Sequence, residues 1–499
     1  MIETGSRPES SWQRLIPTIR LLIALTVRPL LIATAGFISI RIYEFASYLH
    51  ILKGGVPAFI VLFLIQFSIY LVACYLVLSR KKPAGGLAKI SNVLVVAVVL
   101  IFSVFFRSEL VDEPPYLSSD VYRYVWDGRV QSEGINPYRY IPSDENLSHL
   151  RDQAIYGFIN RRDFAQTIYP PAAQMIFLAL YTLSPSDVHS FKVGMSWFDG
   201  ATMVAILLSL LRLGLEPSRI VIFAWHPLVI WEGAHSGHIE SAWIAFLALA
   251  ILARTYNRPV LIGIALAVAT LIKFYPVLML PAFIYSQHYS IDGAGLPRGL
   301  SQFARRALEV VSSSATRRVM LAFGGTVVLA YLPYVGAGSL IFGYLPGYLK
   351  EEGFVHSGSR YFLLELARNV VNVPSIVYSA VAALILFGFG LWTIIRSRQR
   401  AEDTIKYALG MIGAFLILSS PRFSWYFAGL IPFLCFIPRT SWFYLSGACV
   451  FLYLLWLTSD YPGIPVWLGV ALYGPTAAFL FWEYLRRRTG RIERVNVVE

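Results

Sequence analysis

Residues 107–167 carry the run of groups best suited to moving a proton or holding a hydroxyl. Within it, Asp120, Arg123, Tyr124 and Asp127 recur at steps of three and four residues. That spacing puts all four on one face of a helix. Val121, Val125 and Gly128 share another face. Ser118 or Ser119 can cap such a helix at its start, and Gly134 with Asn136-Pro137 ends it in a turn. Two readings follow. One is a solvated amphipathic helix on a membrane surface, laced by salt bridges between neighbouring turns. The other makes Asp120 a general base. The first turn of a helix keeps a carboxylate ionised, and an ionised carboxylate accepts the proton of a hydroxyl held within hydrogen-bond reach.

The elements that must position this loop are membrane spans. Of the 499 residues, 57% are hydrophobic and 14% charged, against about 25% charged in a soluble domain. Mean hydropathy is +0.60. The apolar stretches, such as 93–106 and 380–395, are continuous, unlike the alternating segments of a membrane barrel. An all-α, polytopic transmembrane bundle satisfies the backbone in lipid. The net charge of +13 comes from short basic clusters between apolar runs. This is a positive-inside pattern and not a nucleic-acid surface. Cys74, Cys435 and Cys449 lie inside apolar runs and read as small core residues. Arg7, Arg14 and Arg20 precede a span with no cleavage site in view, which predicts a retained first helix.

Spans of about 20 residues are predicted near 26–48, 55–79, 87–106, 190–211, 218–232, 239–253, 259–272, 274–288, 318–333, 374–395, 404–419, 424–437, 441–458 and 464–485. Arg80, Lys81, Lys82 and Lys89 make the loop between the second and third cytoplasmic, so 107–167 lies on the opposite face. The clusters around Arg298–Arg318, Arg396–Lys406 and Arg486–Arg488 stay cytoplasmic only if 168–185 does not fully cross. That stretch is therefore read as re-entrant or interfacial. The result is one domain with about 14 crossings (range 12–14), both termini inside and a short cytoplasmic tail at 486–499. The outer face then gathers the catalytic loop 107–167, the turn 233–238 and a second outer loop, 334–373.

On these residues the chain resembles the GT-C superfamily of membrane glycosyltransferases. It is most similar to the bacterial polyprenol-phosphate-mannose-dependent α-mannosyltransferases and the family 87 group. The resemblance rests on Ser119 through Tyr124, Gly134 through Tyr138 and Tyr169-Pro170-Pro171. Trp231 through His238, Lys273 through Pro276 and Ser420 through Tyr426 add to it, so that it spans most of 100–430. It implies a GT-C-type bundle at the bacterial plasma membrane with its site on the outer face. It also implies a polyprenyl-phosphate sugar donor, and an acidic residue of the first outer loop as base, which here is Asp120. Arg123, Tyr124, Asp127, Asn136, Tyr138 and Tyr169 are the motif residues expected to contact substrate. Many GT-C enzymes pair two acids in that loop. Here serines precede Asp120, and Asp127, Asp112 and Glu113 are the nearby alternatives. Chemistry without a metal or other cofactor is the expectation.

Other clusters fit this scheme. Glu232, His235, His238 and Glu240 look at first like metal ligands. Zinc sites prefer histidines at i,i+4 on an unbroken helix, but His235 and His238 are three apart, and Gly233 and Gly237 break the helix. A polar turn for sugar hydroxyls is the alternative, with packing a third. Lys273 lies between two apolar runs, where an ionisable group is a functional candidate unless it snorkels. It is a candidate clamp on the lipid phosphate, together with Arg360 and Arg422, whose guanidinium groups bind phosphate bidentately. Trp425 and Tyr426 are interface anchors or stacking platforms for a sugar. A lipid-phosphate leaving group needs neutralisation and no general acid, so a single inverting displacement suffices, from a β-linked mannosyl donor to an α-linked product on a glycan or lipid acceptor. Rival readings are a transporter or flippase of lipid-linked sugars, the same chemistry on glucose or arabinose, and a structural membrane protein.

Overall fold

The computed structural model describes residues 11–48, 55–78, 86–285, 299–351, 361–396, 400–457 and 463–488. Among them every regular element is helical. Among the described residues seven helices are long and apolar enough to cross a bilayer: Thr26–Ala46, Val56–Leu78, Ile90–Val111, Val188–Arg212, Ser314–Glu351, Ser375–Arg396 and Thr440–Leu457. Their outward faces carry Val61, Val72, Val104, Leu384 and Phe387, each more than half exposed. Apolar surface on this scale belongs against lipid, and the chain is an integral membrane protein of polytopic helical type.

Seven of the fourteen expected spans fall outside this set: 239–253, 259–272, 404–419 and 464–485 lie on the helices Glu240–Thr255, Pro259–Ile272, Ala401–Ser419 and Val466–Arg488, and three others are not single α-helices. The stretch 218–232 divides into Pro217–Ile220, Val221–Ala224 and Pro227–Ile230, followed by a wide, π-helical turn at Trp231–His235. The break is local chemistry. Pro227 lacks an N–H and forces the residue before it out of the helical region, so His226 is extended at φ −65°, ψ 119° and its Nδ1 caps the next turn through the Leu228 N–H. Near Pro276 and Pro281 the chain passes from the tight turn Tyr275–Met279 to the short helix Leu280–Phe283 without leaving helical angles, and Pro432 follows the tight turn Ser424–Leu430 likewise. Non-helical backbone is tolerated at membrane depth only when enclosed by protein. Residues 220–245 are buried without exception.

The helix Pro171–Leu183 has 13 residues, about 20 Å of rise against a hydrocarbon thickness of about 30 Å. It serves as the floor for the Asp120–Ser132 helix rather than as a span of its own.

Small residues let the helices close. A Cβ on Gly263 would stand 2.3 Å from the Val319 carbonyl oxygen and 2.8 Å from Ala322 Cβ, so the Pro259–Ile272 and Ser314–Tyr331 helices touch backbone to backbone there. Gly263→Ala is expected to cost about 1–3 kcal/mol of overpacking, read as a lower melting point in detergent. Gly388→Ala, where nothing lies within 4 Å, is the control that leaves melting unchanged.

Candidate functional site

The Asp120–Ser132 helix starts directly after the turn that follows Pro114-Pro115. Ser119 occupies the cap position without a side-chain cap bond. Ser118 takes that part instead, its Oγ accepting the Asp120 N–H at 3.2 Å. The helix is not solvated: Val121, Arg123–Val130 are all buried. Gly128 allows the closeness, since a Cβ there would lie 2.6 Å from the Phe177 carbonyl oxygen. Tyr124 stacks on Phe177 with centroids 4.6 Å apart and planes 8° from parallel.

Asp120 is the acidic member of this helix that reaches the cavity. Its Oδ1 accepts from Asn160 Nδ2 at 2.8 Å, and its Oδ2 from the Tyr169 hydroxyl at 3.4 Å. The Tyr169 hydroxyl lies 3.3 Å from that of Tyr124. Burial, then the Asp120 charge, pushes both phenols well above the usual range, so both remain protonated. His238 Nδ1 faces Oδ2 from 3.8 Å.

The cavity measures about 390 Å³. It is lined by Asp120, Asn160 and Tyr169, by Lys273, Tyr275, Trp425 and Tyr426, by the cationic Arg123, Arg161 and Arg422, and by Tyr344 and Tyr348 of the segment after residue 331. Lys273 is bonded to Glu240, and its ammonium lies 4.6 Å from the Tyr426 ring centroid. Arg161 adopts a left-handed backbone, φ 54°, and pairs with Glu351 at 2.8 Å. Burial works against its charge, but Glu351 more than offsets this and holds the guanidinium protonated. A carboxylate and a group of cations share one aromatic-lined space. Such an arrangement can deprotonate a hydroxyl on one side and neutralise an anionic leaving group on the other.

Of the residues singled out by sequence, Asp120, Arg123, Tyr169, Lys273, Arg422, Trp425 and Tyr426 line this cavity. Arg360 lies outside the described residues. Others stand behind it. Asp127 accepts from Arg123 Nε at 2.8 Å, the Thr167 hydroxyl at 2.5 Å and Gln174 Nε2 at 2.9 Å, which occupies it fully within the protein. Tyr124 is completely buried. Asn136 donates to the Tyr334 carbonyl at 3.1 Å and Tyr138 to the Tyr169 carbonyl at 2.8 Å, so both brace the loop. His235 packs between Trp231 and Tyr116. Glu232 and His238 lie beneath the cavity floor, His238 stacked on Trp425 with centroids 4.1 Å apart. Sequence reasoning passed over Asn160, Arg161 and Tyr348. The polar run Asn160–Asp163 was the available signal. Among the described residues no group of three or more His, Cys, Asp or Glu side chains is placed to hold a metal ion.

Gly237 joins the two halves of the site. Its φ is 68°, and a Cβ would meet Lys192 Cγ at 3.0 Å and Val121 Cγ2 at 3.1 Å. A left-handed non-glycine residue costs about 1–3 kcal/mol, and the added methyl pushes on the residue next to Asp120. Gly237→Ala is therefore expected to reduce turnover at least tenfold, about 1.4 kcal/mol at the barrier. Initial rates at saturating substrate check this, and an unchanged rate would refute it.

Residues 30–287 match the family model for the alpha-(1->6)-mannopyranosyltransferase N-terminal domain. Residues 167–421 match the model for glycosyltransferase family 87. A comparison with curated proteins found no match.

Proposed function

Since the chain belongs to the alpha-(1->6)-mannopyranosyltransferase family and to glycosyltransferase family 87, it is a glycosyltransferase, and we propose that it moves mannose from a polyprenyl-phosphate donor to a hydroxyl of a glycan or lipid acceptor. The site faces the non-cytoplasmic side of a bacterial plasma membrane. The observation that carries this reading is that the Asp120 carboxylate lines the same cavity as Lys273, Arg161 and Arg422.

In the proposed step Asp120 takes the proton of the acceptor hydroxyl. The oxygen attacks the anomeric carbon while the bond to the phosphate oxygen breaks, and the electron pair leaves with the lipid phosphate. The phosphate departs as an anion, so the site supplies cations rather than an acid. One displacement inverts the anomeric centre. A β-linked mannosyl phosphate thus gives an α-linked product, with no metal called for in the scheme. Tyr169 and Tyr426 offer ring edges and hydroxyls to the sugar, while Trp425, stacked between His238 and Phe423, shapes the cavity wall.

Protein purified in detergent, given radiolabelled mannose, glucose or arabinose on polyprenyl phosphate, tests the reading. Transfer from the mannosyl donor, without a sealed membrane, is the expected result. Transfer confined to the glucosyl or arabinosyl donor would move the reading to that sugar. No transfer from any lipid-linked donor would end it.

A further inference from the structure

Beneath the cavity floor three carboxylates surround one imidazole. His238 is fully buried, and both its ring nitrogens lack a completed hydrogen bond. Nε2 lies 3.5 Å from Glu232 Oε2, and Nδ1 lies 3.8 Å from both Asp120 Oδ2 and Glu240 Oε2. Glu232 is itself held from behind, its Oε1 accepting the Tyr453 hydroxyl at 2.6 Å. Lys273 is engaged by Glu240. Like charges this close and this dry are not all ionised together, so the Glu232–His238 pair holds a proton. Two placements exist. With the proton on Glu232, that acid donates to Nε2 and the imidazole keeps its hydrogen on Nδ1. With the proton on His238, both nitrogens carry hydrogen. In either case an N–H points from Nδ1 toward the acidic groups at the cavity floor.

We infer that Tyr453, Glu232 and His238 form a chain that positions Asp120, with His238 Nδ1–H as the donor that fixes its Oδ2. The separations of 3.5 and 3.8 Å close by less than 1 Å, and contacts of this kind tighten when substrate is bound. Together with Asn160 on Oδ1, the chain sets the plane of the carboxylate. His238 and Glu232 therefore act through Asp120 and not by touching sugar. Two features fit a positioning role. Trp425 stacks on the imidazole and blocks its tilt, and neither Glu232 nor His238 lines the cavity.

The inference rests on the proposed transferase reaction, and the experiment separates the two. Steady-state kinetics on the full-length protein compare wild type, His238→Gln, Glu232→Gln and Glu232→Leu, with a melting curve for each. Misplacing a reacting group by about 1 Å costs roughly 100-fold, so His238→Gln is expected to lower kcat by that order with the donor KM unchanged within threefold. The amide of Glu232→Gln can still donate to Nε2 and keep hydrogen on Nδ1; Leu cannot. The Gln variant is expected to exceed the Leu variant in kcat by at least tenfold. If His238→Gln fails to fold, this pair alone decides. A His238→Gln enzyme with wild-type kcat, a rise confined to KM, or equal kcat for Glu232→Gln and Glu232→Leu overturns the chain. A wild-type protein inactive with every lipid-linked donor overturns the transferase reading and this inference with it.

Discussion

Asp120→Asn is expected to lower the rate of sugar transfer by about 10²–10⁴-fold, the contribution of a positioned general base, and to leave the protein's melting point unchanged. The side chain is 21% exposed at the cavity edge, and its partners, Asn160 and Tyr169, are both donors. An amide is the same size and keeps one acceptor oxygen, so folding loses little. It cannot take a proton from the acceptor hydroxyl, so the chemical step loses its base. Initial rates with a radiolabelled lipid-linked donor, run beside thermal unfolding in detergent, measure both. An Asn variant at wild-type rate would remove Asp120 from the mechanism.

Asp127, two turns along the same helix, is expected to behave oppositely. It is buried to 2% exposure in an ion pair with Arg123, itself 6% exposed. Thr167 and Gln174 use the other oxygen, tying the helix to the segment that leads into Pro171–Leu183. Asp127→Ala leaves a guanidinium buried without its counter-charge, a change that costs about 3–5 kcal/mol. Denaturant unfolding of the detergent-solubilised protein reads this directly. A loss under about 1 kcal/mol, the value of an exposed pair, would mean that the network is not structural. The two aspartates share a helix face, yet one answers to kinetics and the other to stability.

That contrast marks how far the sequence can be read. The limits of the Asp120 helix were legible because its punctuation is strong: serines before it, then Gly134 at φ 72° after it. Its burial was not. Arg123 and Asp127 make as good an exposed pair as a buried one until the 165–174 segment folds over them. Hydropathy located the seven long helices, but a window that averages over Pro227 reports a continuous span where the backbone is broken at His226. Lys273 stood out as a charge between apolar runs. Its partner Glu240 lies 33 residues earlier, and no local pattern links the two. Arg161 left the least trace, because a left-handed residue in an aperiodic loop is recognisable only once the loop has closed on Glu351.

The stacking of Trp425 on His238 bears on how the enzyme comes into being. As the chain is threaded into the bilayer from its N-terminus, the carboxylate at 120, the imidazole at 238 and the ammonium at 273 arrive long before the indole. Until the segments that carry Trp425 and Tyr453 are inserted and have docked, the half-made protein holds an acidic pit with no roof. The order of insertion therefore places assembly of the acidic groups before the closing of the ring that covers them.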